Sequence, residues 1–588
     1  MHRLFVIMLL ALSGLTMAQE HQVKIKLVET SDVHGAFFPY DFISRKEVKG
    51  SLASLSTYLN RERAVYGDNL ILMDNGDLLQ GQPSIYYYNY IDTLSTHLAA
   101  RITNYLKYDL CNVGNHDVEA GVKVLKRLRQ QCQFPLLGAN IIDTATGQPA
   151  FPPYVVFERE GVKIAVLGLI TPAIPSWLPE ELWRGWRFDD LEQTARRWVK
   201  EIQKKEKPHV IVGIFHSGLE ETSADNEVVE NASRAVANRV AGFDVIFCGH
   251  DHMPHLEKVT NRYGQPVWLV NPGSSARKVG VVEMDFTLAY NKIRNKQLSV
   301  NLASLENLEP DSSYLATFQS AVDTVNAYVN RPIGTITKTI SSRDAYFGNS
   351  SFVDFVHHIQ LAISGADVSL SAPLSFNVEI KEGQLCVSDL FNLYKFENKL
   401  YTMRLTGKEI KKALEMSYAK WTNHMKGPDD HLLLIEKSAK GSDTYFFTNP
   451  SFNFDSAAGI NYTVDVTRPH GEKLTITSMA DGSPFDPEKV YLVAVNSYRG
   501  NGGGDLLTKG AGISKAKLGE RIVSVTDLDL RYYVLKYIEA HPNLEPIRLN
   551  NWHFVPEEWV KPAAERDYKL LFGGVNHRTF GERSSLEE

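Results

Sequence analysis

Five short polar motifs in the first half of the chain each close an apolar run. They are Thr30-Ser31-Asp32-Val33-His34, Asp74-Asn75-Gly76-Asp77, Gly114-Asn115-His116-Asp117, His216-Ser217-Gly218 and Gly249-His250-Asp251-His252. A fold that satisfies all five must bring several strand ends to one place. The side chains offered are Asp, His and Asn, which suit Zn, Mn, Fe or Mg rather than a thiolate-seeking metal. The set is rich enough for two ions sharing one bridging carboxylate, an arrangement used to hydrolyse phosphate esters.

The runs themselves read as strands: Val23–Val28, Leu70–Met73, Leu110–Val113, Val162–Leu169, Val210–Phe215 and Asp244–Cys248. They alternate with longer helical patterns from about Glu20 to about Glu309, which predicts an α/β domain. In five of the six the polar motif follows the last strand residues, and open α/β sheets bind ligands at the carboxyl ends of their strands. On an extended tail, Asp32 and His34 point to the same side and can reach one ion. Gly76 lets the backbone before Asp77 come close to a ligand. Asn115 offers an amide oxygen, and His116 can protonate a leaving oxygen. His216, His250 and His252 supply three further imidazoles. Each His alone reads equally well as an ordinary surface or core residue; the ordered set of five motifs does not. No nucleophile motif for a covalent intermediate accompanies them.

The formal net charge of -6 over 588 residues is mild, and no basic tract exists for a phosphate backbone. A nucleic-acid polymer is therefore not expected as a partner, whereas a small nucleotide is compatible. Arg3, the apolar run Leu4 to Leu12 and the small-residue site Thr16-Met17-Ala18 read as a signal peptide over residues 1–18. No later stretch is long enough for a transmembrane anchor. The expectation is an exported protein, periplasmic or secreted. Cys111, Cys132, Cys248 and Cys386 lack zinc spacing, and a Cys111–Cys132 bridge stands beside the alternative of buried free thiols.

Residues 311–331 read as a linking helix. Leu315, Phe318, Val322, Val325 and Val329 recur at helical spacing, Asp311 or Ser312 can cap it, and Pro332 ends it. The expected organisation is a catalytic domain over 19–310, this helix, and a second α/β unit over 332–556. That unit contains a helix from Lys408 to Trp421 with Ile410, Ala413, Leu414, Tyr418 and Trp421 on one face. The charged tail over 557–588 is expected to pack loosely.

The order of the motifs resembles the calcineurin-like metallophosphoesterase superfamily. The resemblance implies an N-terminal layered domain, a β-sandwich flanked by helices, and two divalent metal ions, whether Zn, Mn, Fe, Co or Mg. Asp32, His34, Asp77 and His252 would hold one ion. Asp77, Asn115, His216 and His250 would hold the other, with Asp77 bridging. His116 matches the catalytic histidine, and a metal-bridging hydroxide would attack phosphorus. The chain is further similar to exported bacterial nucleotidases, in the branch of 2′,3′-cyclic-nucleotide 2′-phosphodiesterase/3′-nucleotidases. The stretches that carry this are Asp74–Pro83, Ser371-Ala372-Pro373, Leu393–Leu400, Asn453-Phe454-Asp455 and Val493–Gly504.

This second resemblance implies a C-terminal α/β nucleotide-binding domain in which two rings, at Phe396 and Tyr498, sandwich a base, with Asn501 and Asp505 nearby. Phe396 has a core reading beside this one, given its neighbours Leu393, Tyr394 and Leu400. Three departures stand out. Glu119 occupies the position where 5′-nucleotidase relatives carry an Asp that orients the catalytic histidine. Ser371 to Asn377 lacks their substrate-binding Arg, and Gly504 takes the slot of their ribose-binding Asp, with Asp505 following. The expected activity is hydrolysis of 2′,3′-cyclic nucleotides and 3′-nucleotides to nucleoside and phosphate. A 5′-nucleotidase or nucleotide-sugar hydrolase is the alternative, and an inactive surface binding module a remoter one. Substrate would bind between domains that rotate during turnover.

Overall fold

The structure is a computed structural model that describes residues 20–225, 228–290, 292–438 and 444–573. The expected signal peptide and the last part of the tail lie outside the described residues.

All six expected strands form, as His21–Thr30, Leu70–Asp74, Leu110–Asn112, Val162–Ile170, Val210–His216 and Val245–Cys248. They do not share one open sheet. The first three belong to a six-stranded sheet ordered Lys292–Ser304, Lys278–Ala289, His21–Thr30, Leu70–Asp74, Leu110–Asn112, Leu136–Leu137. The other three belong to a second, ordered His255–Thr260, Pro266–Asn271, Val245–Cys248, Val210–His216, Val162–Ile170, Tyr154–Arg159. The central pairs of both sheets are parallel. Side chains alternate along a strand, so Val23, Ile25 and Leu27 face Val212, Ile214 and Val245 across an apolar layer between the sheets. Helices Leu52–Tyr66 and Ser312–Val329 cover the outer face of the first sheet. Leu191–Lys205 and Ser233–Arg239 cover that of the second. The result is a β-sandwich flanked by helices, with parallel strand ends of both sheets directed to the same side.

The Asp311 carboxylate caps the Ser312–Val329 helix, accepting from Ser313 N at 2.8 Å and Tyr314 N at 3.4 Å. Its buried face is Tyr314, Phe318, Ala321, Val325 and Val329, while Leu315 and Val322 fall to the margin. The stripe is rotated from the expected one because Tyr314 and Ala321 stand four before and three after Phe318.

Beyond it, a five-stranded sheet runs Ser456–Ala458, Val368–Ser371, Val490–Asn496, Lys399–Thr406, Ile522–Asp529. Helix Gly407–Trp421 buries Ile410, Ala413, Leu414, Tyr418 and Trp421. Its start is a reciprocal cap: Glu409 N donates to Thr406 Oγ1 at 3.2 Å, and Thr406 N to Glu409 Oε2 at 2.8 Å. Leu400 pairs with Asn496 across adjacent strands, which puts the Phe396 turn and the Ser497–Gly500 turn at one end of this sheet.

The stretch after Pro556 does not begin loosely. Glu557–Phe572 is a helix that buries Val560, Ala563, Leu571 and Phe572 in the second core. Buried Asp567 accepts from Leu433 N at 3.0 Å. All four cysteines are free thiols, three of them buried. Among the described residues no helix is long and apolar enough to cross a membrane.

Candidate metal centre and active site

The strand ends deliver the five motifs to one point. Ligand atoms of Asp32, His34, Asp77 and His252 all lie within 4.8 Å of one another. The Nε2 atoms of His34 and His252 are 3.0 Å apart, and His252 Nε2 is 3.3 Å from Asp32 Oδ1. A second group adjoins the first: Asn115 Oδ1 is 3.0 Å from His216 Nε2 and 2.8 Å from His250 Nδ1. Asp77 Oδ2 stands between the groups, 3.1 Å from His216 Nε2 and 3.9 Å from His34 Nε2. That oxygen is fully buried with no hydrogen-bond partner. A buried carboxylate oxygen without a donor, ringed by imidazole nitrogens, is the donor set that a divalent cation fits.

The backbone reaches this geometry differently from the extended tail expected for Asp32 and His34. The first strand stops at Thr30, and both residues have left-handed backbones, with φ of 51° and 50°. Asp77, His250 and His252 are left-handed as well, at 63°, 75° and 58°. Non-glycine residues adopt this region at a cost of about 1–3 kcal/mol each, and here the surroundings hold them. Asp32 N donates to Gly76 O and His34 N to Asp77 O, both at 3.0 Å. Gly76 allows a close approach to Gly114: a Cβ on it would stand 2.5 Å from Gly114 N.

Several residues outside the expected set support the ligands. Asp117 accepts from Asp77 N, Leu78 N, Leu79 N and Gly114 N at 2.8–3.0 Å, tying the second motif to the third. His250 Nε2 meets Glu230 Oε1 at 2.9 Å. His216 Nδ1 meets Asn75 O at 2.7 Å, and His34 Nδ1 meets Gln80 O at 3.1 Å. Such contacts orient a ligating ring and fix its tautomer. Trp177 stacks on His250 with centroids 5.5 Å apart and planes at 27°. Nothing in the sequence singles out Glu230 or Trp177, because each comes from a segment without a motif.

The electrostatics follow from burial and neighbours. Burial opposes the charge on His216, but the carboxylates of Asp77 and Asp32 push its imidazole up to about 10. Burial pulls His34 down to about 3, with His252 adding to the fall. Burial works against Asp32 and Asp77 too, yet neighbouring His216 holds both below the usual carboxylate range.

His116 sits beside this cluster, its ring 5.4 Å from that of His34. Its backbone N donates to Asp77 Oδ1 at 2.8 Å. Its Nδ1 is hydrogen-bonded to Glu119, three residues on along the same helical turn. That leaves Nε2 as the nitrogen that can serve a substrate oxygen. Burial lowers its basicity, but Asp77 and Glu119 together raise it to about 9. Glu397, from the turn before strand Lys399–Thr406 of the C-terminal half, also acts on His116; burial pushes Glu397 up to about 7 against the pull of Arg531, with Glu119 adding to the rise.

In the same half, Phe396 and Tyr498 do not touch. Phe452 lies between them, 6.2 Å from Phe396 at 82° and 6.1 Å from Tyr498 at 86°. The Phe452 ring stands nearly perpendicular to both outer rings. Phe452 directly precedes the Asn453-Phe454-Asp455 motif, which was a signal for it. Arg499, 1 % exposed, fastens the Phe452 segment: it pairs with Asp455 at 2.7 Å and donates to Phe452 O at 3.1 Å and Asn453 Oδ1 at 3.2 Å. A Cβ on Gly504, where φ is 70°, would strike Arg499 and Asn453. Asn501 Nδ2 lies 3.5 Å from Trp177 O, so it reaches across to the metal side. The Asp505 carboxylate turns to Lys509 at 3.3 Å and Lys420 at 3.6 Å.

A sandwich with histidine and carboxylate ligands at its strand ends, joined to a second α/β domain, defines a two-part metallophosphoesterase. Residues 25–254 match the calcineurin-like phosphoesterase family and residues 332–509 the 5′-nucleotidase C-terminal domain. The chain belongs to the calcineurin-like phosphoesterases that carry a 5′-nucleotidase C-terminal domain, and is a metal-dependent phosphoesterase of that nucleotidase family. It is 28 % identical to a 2′,3′-cyclic-nucleotide 2′-phosphodiesterase/3′-nucleotidase of Yersinia enterocolitica, over 92 % of this chain and 90 % of that protein. It is 27 % identical to the trifunctional nucleotide phosphoesterase protein YfkN of Bacillus subtilis, over 91 % of this chain but 39 % of that longer protein. A crystal structure of a 5′-nucleotidase precursor from Thermus thermophilus has the same fold, with TM-score 0.61 at 20 % identity, covering 91 % of this chain and all of that one.

Proposed function

We propose that this protein hydrolyses 2′,3′-cyclic nucleotides and 3′-nucleotides to nucleoside and phosphate, outside the cytoplasm. The observation that supports the nucleotide reading is the row of rings Phe396, Phe452 and Tyr498, whose neighbours Glu397 and Asn501 reach toward His116 and Trp177 on the metal side. Stacking between rings accepts any base, because every base has a π-face. The absence of Arg from Ser371–Asn377 and the named activity of the Yersinia relative favour the cyclic and 3′ substrates over 5′-nucleotides. The sequence pattern of Arg3, the apolar run Leu4 to Leu12 and Thr16-Met17-Ala18 supports export.

Asp32, His34, Asp77 and His252 would hold one divalent ion, and Asp77, Asn115, His216 and His250 a second. Such ions, when bound, neutralise phosphate charge and lower the pKa of bound water. The protein's own groups do the rest. Glu230, Asn75 and Gln80 hold the ligand imidazoles in orientation. Glu119 holds His116 by Nδ1, so that Nε2 can deliver a proton to the departing ribose oxygen. Phe396 and Tyr498 would fix the base, and through it the ribose and phosphate, with Asn501 and Asp505 as further candidates for substrate contact.

The test is product analysis of the metal-replete protein with 2′,3′-cyclic AMP, 3′-AMP and 5′-AMP in parallel, with and without excess chelator. Conversion of the first two to adenosine, 5′-AMP nearly untouched, and loss of turnover in chelator are expected. Preferential hydrolysis of 5′-AMP would replace this reading by a 5′-nucleotidase. Full activity in chelator would remove the metal mechanism.

A further inference from the structure

The two halves meet at Tyr86. It is 8 % exposed and buried in an apolar cluster whose other buried members all follow Pro332, among them Leu390, Phe391, Leu530 and Val534. Its ring meets Phe391 edge-on at 5.5 Å and 89°, and its hydroxyl donates to Asp529 Oδ2 at 3.1 Å. Over the same ring, 4.9 Å from its centroid, lies the guanidinium of Arg531; the Phe391 ring stands 4.0 Å from that guanidinium.

Arg531 is 2 % exposed, and every polar contact it makes goes to one turn. Nε donates to Tyr394 O at 3.1 Å, Nη2 to Lys395 O at 2.7 Å and Nη1 to Glu397 Oε1 at 3.0 Å. These three partners bracket Phe396. The planar donor set of Arg can serve two carbonyls and a carboxylate while its faces rest on aromatic rings, which Lys cannot do. Tyr86, for its part, closes the segment that backs the metal centre. Gln82 N donates to His34 O at 3.1 Å, and a Cβ on Gly81 would strike His34. Four residues after Gln82 the chain arrives at Arg531.

We propose that Tyr86 and Arg531 are positioning residues for the reaction: seating of Tyr86 against Arg531 and Asp529 sets the turn that presents Phe396 and so couples docking of the two halves to capture of the base. This rests on the reading of Phe396 as a base-stacking residue. Neither Tyr86 nor Arg531 touches substrate; each acts through the Tyr394–Glu397 turn, by the carbonyls of Tyr394 and Lys395 and the carboxylate of Glu397. The coupling selects for substrates with a base, because only these need Phe396 in place.

The test compares 3′-AMP with p-nitrophenyl phosphate, which has no base, on the full metal-loaded chain. The variants are Tyr86→Ala, Tyr86→Phe and Arg531→Lys, each checked for melting temperature and bound metal. Wild type must first favour 3′-AMP; if it does not, the nucleotide reading fails and the variants are not needed to show it. Given that preference, Tyr86→Ala and Arg531→Lys are expected to raise KM for 3′-AMP about tenfold, the scale of a weakened stacking contact, with kcat and p-nitrophenyl phosphate hydrolysis kept within about twofold. Tyr86→Phe keeps the ring and loses only the Asp529 bond, so a rise of roughly two- to fivefold is expected. This variant decides the matter if the other two fail to fold. Equal losses on both substrates, or an unchanged KM for 3′-AMP, would overturn the proposal.

Discussion

The Asp117 carboxylate accepts the backbone N–H of Asp77 at 2.9 Å, and with it those of Leu78, Leu79 and Gly114. One side chain therefore ties the loop carrying the shared carboxylate to the loop carrying Asn115 and His116. A buried N–H left without an acceptor costs about 1–3 kcal/mol. Asp117→Ala should lower the melting temperature by at least roughly 5 °C and reduce bound metal. Thermal unfolding together with metal analysis checks this, and a variant with unchanged melting and metal would show that the tie is dispensable.

His116 and Glu119 are expected to separate chemistry from metal binding. General acid–base groups contribute about 10²–10⁴-fold, so His116→Ala should lose kcat on that scale with metal content unchanged. Glu119→Gln keeps the contact with Nδ1 and removes the charge, which predicts a smaller loss, about tenfold. Steady-state rates beside metal content test both; loss of metal from His116→Ala would mean that it ligates rather than protonates.

Phe396→Ala, Phe452→Ala and Tyr498→Ala should each raise KM for nucleotides by about 5- to 150-fold, corresponding to about 1–3 kcal/mol of stacking. Phe452→Ala is the informative one, since Phe452 alone contacts both outer rings. If its KM matches wild type, these rings do not hold the base.

A fourth expectation concerns pH and lies far from the metal centre. Lys473 is fully buried and donates to Thr422 O, Thr422 Oγ1 and Asn423 O at 2.6–3.2 Å. Burial lowers its ammonium to about 8, against the opposing pull of Glu415 and Asp465. Between about pH 8 and its unfolded value of about 10.4 the unfolded chain binds the extra proton, so this residue's contribution to stability rises with pH across that window. Over about 2.5 units the gain is about 3 kcal/mol. Below pH 8 both states are protonated and the contribution is constant. Denaturant unfolding of wild type and Lys473→Met from pH 7 to 10.5 should show wild type gaining on the variant above pH 8; parallel curves would contradict the shift.

The six central strands are legible in the sequence because each is rich in apolar residues and five of them run into a polar motif. Their division into two sheets is not, since a parallel strand buried on both faces reads alike in one sheet or two. The ligand types are legible; the path that brings them together is not. Left-handed backbone at Asp32, His34, Asp77, His250 and His252 carries only a weak local signal, because Asp and His adopt that conformation more readily than most side chains but far less often than glycine. Glu230 meets His250 from a strand without a motif, so only the folded chain reveals it. The helix Glu557–Phe572 is obscured by its charged composition and an internal Pro562, although Val560, Ala563 and Leu571 supply the buried side.

The left-handed ligands have a consequence for anyone wishing to transplant this centre. Its specification lies in loop handedness as much as in side-chain identity. Grafting seven Asp, Asn and His residues onto the regular strand ends of another sandwich would reproduce the inventory and miss the convergence. The portable unit is the interlocked loops with Gly76, Gly114 and Asp117 included, and a recipient scaffold must be stable enough to hold five residues in a conformation they would otherwise leave.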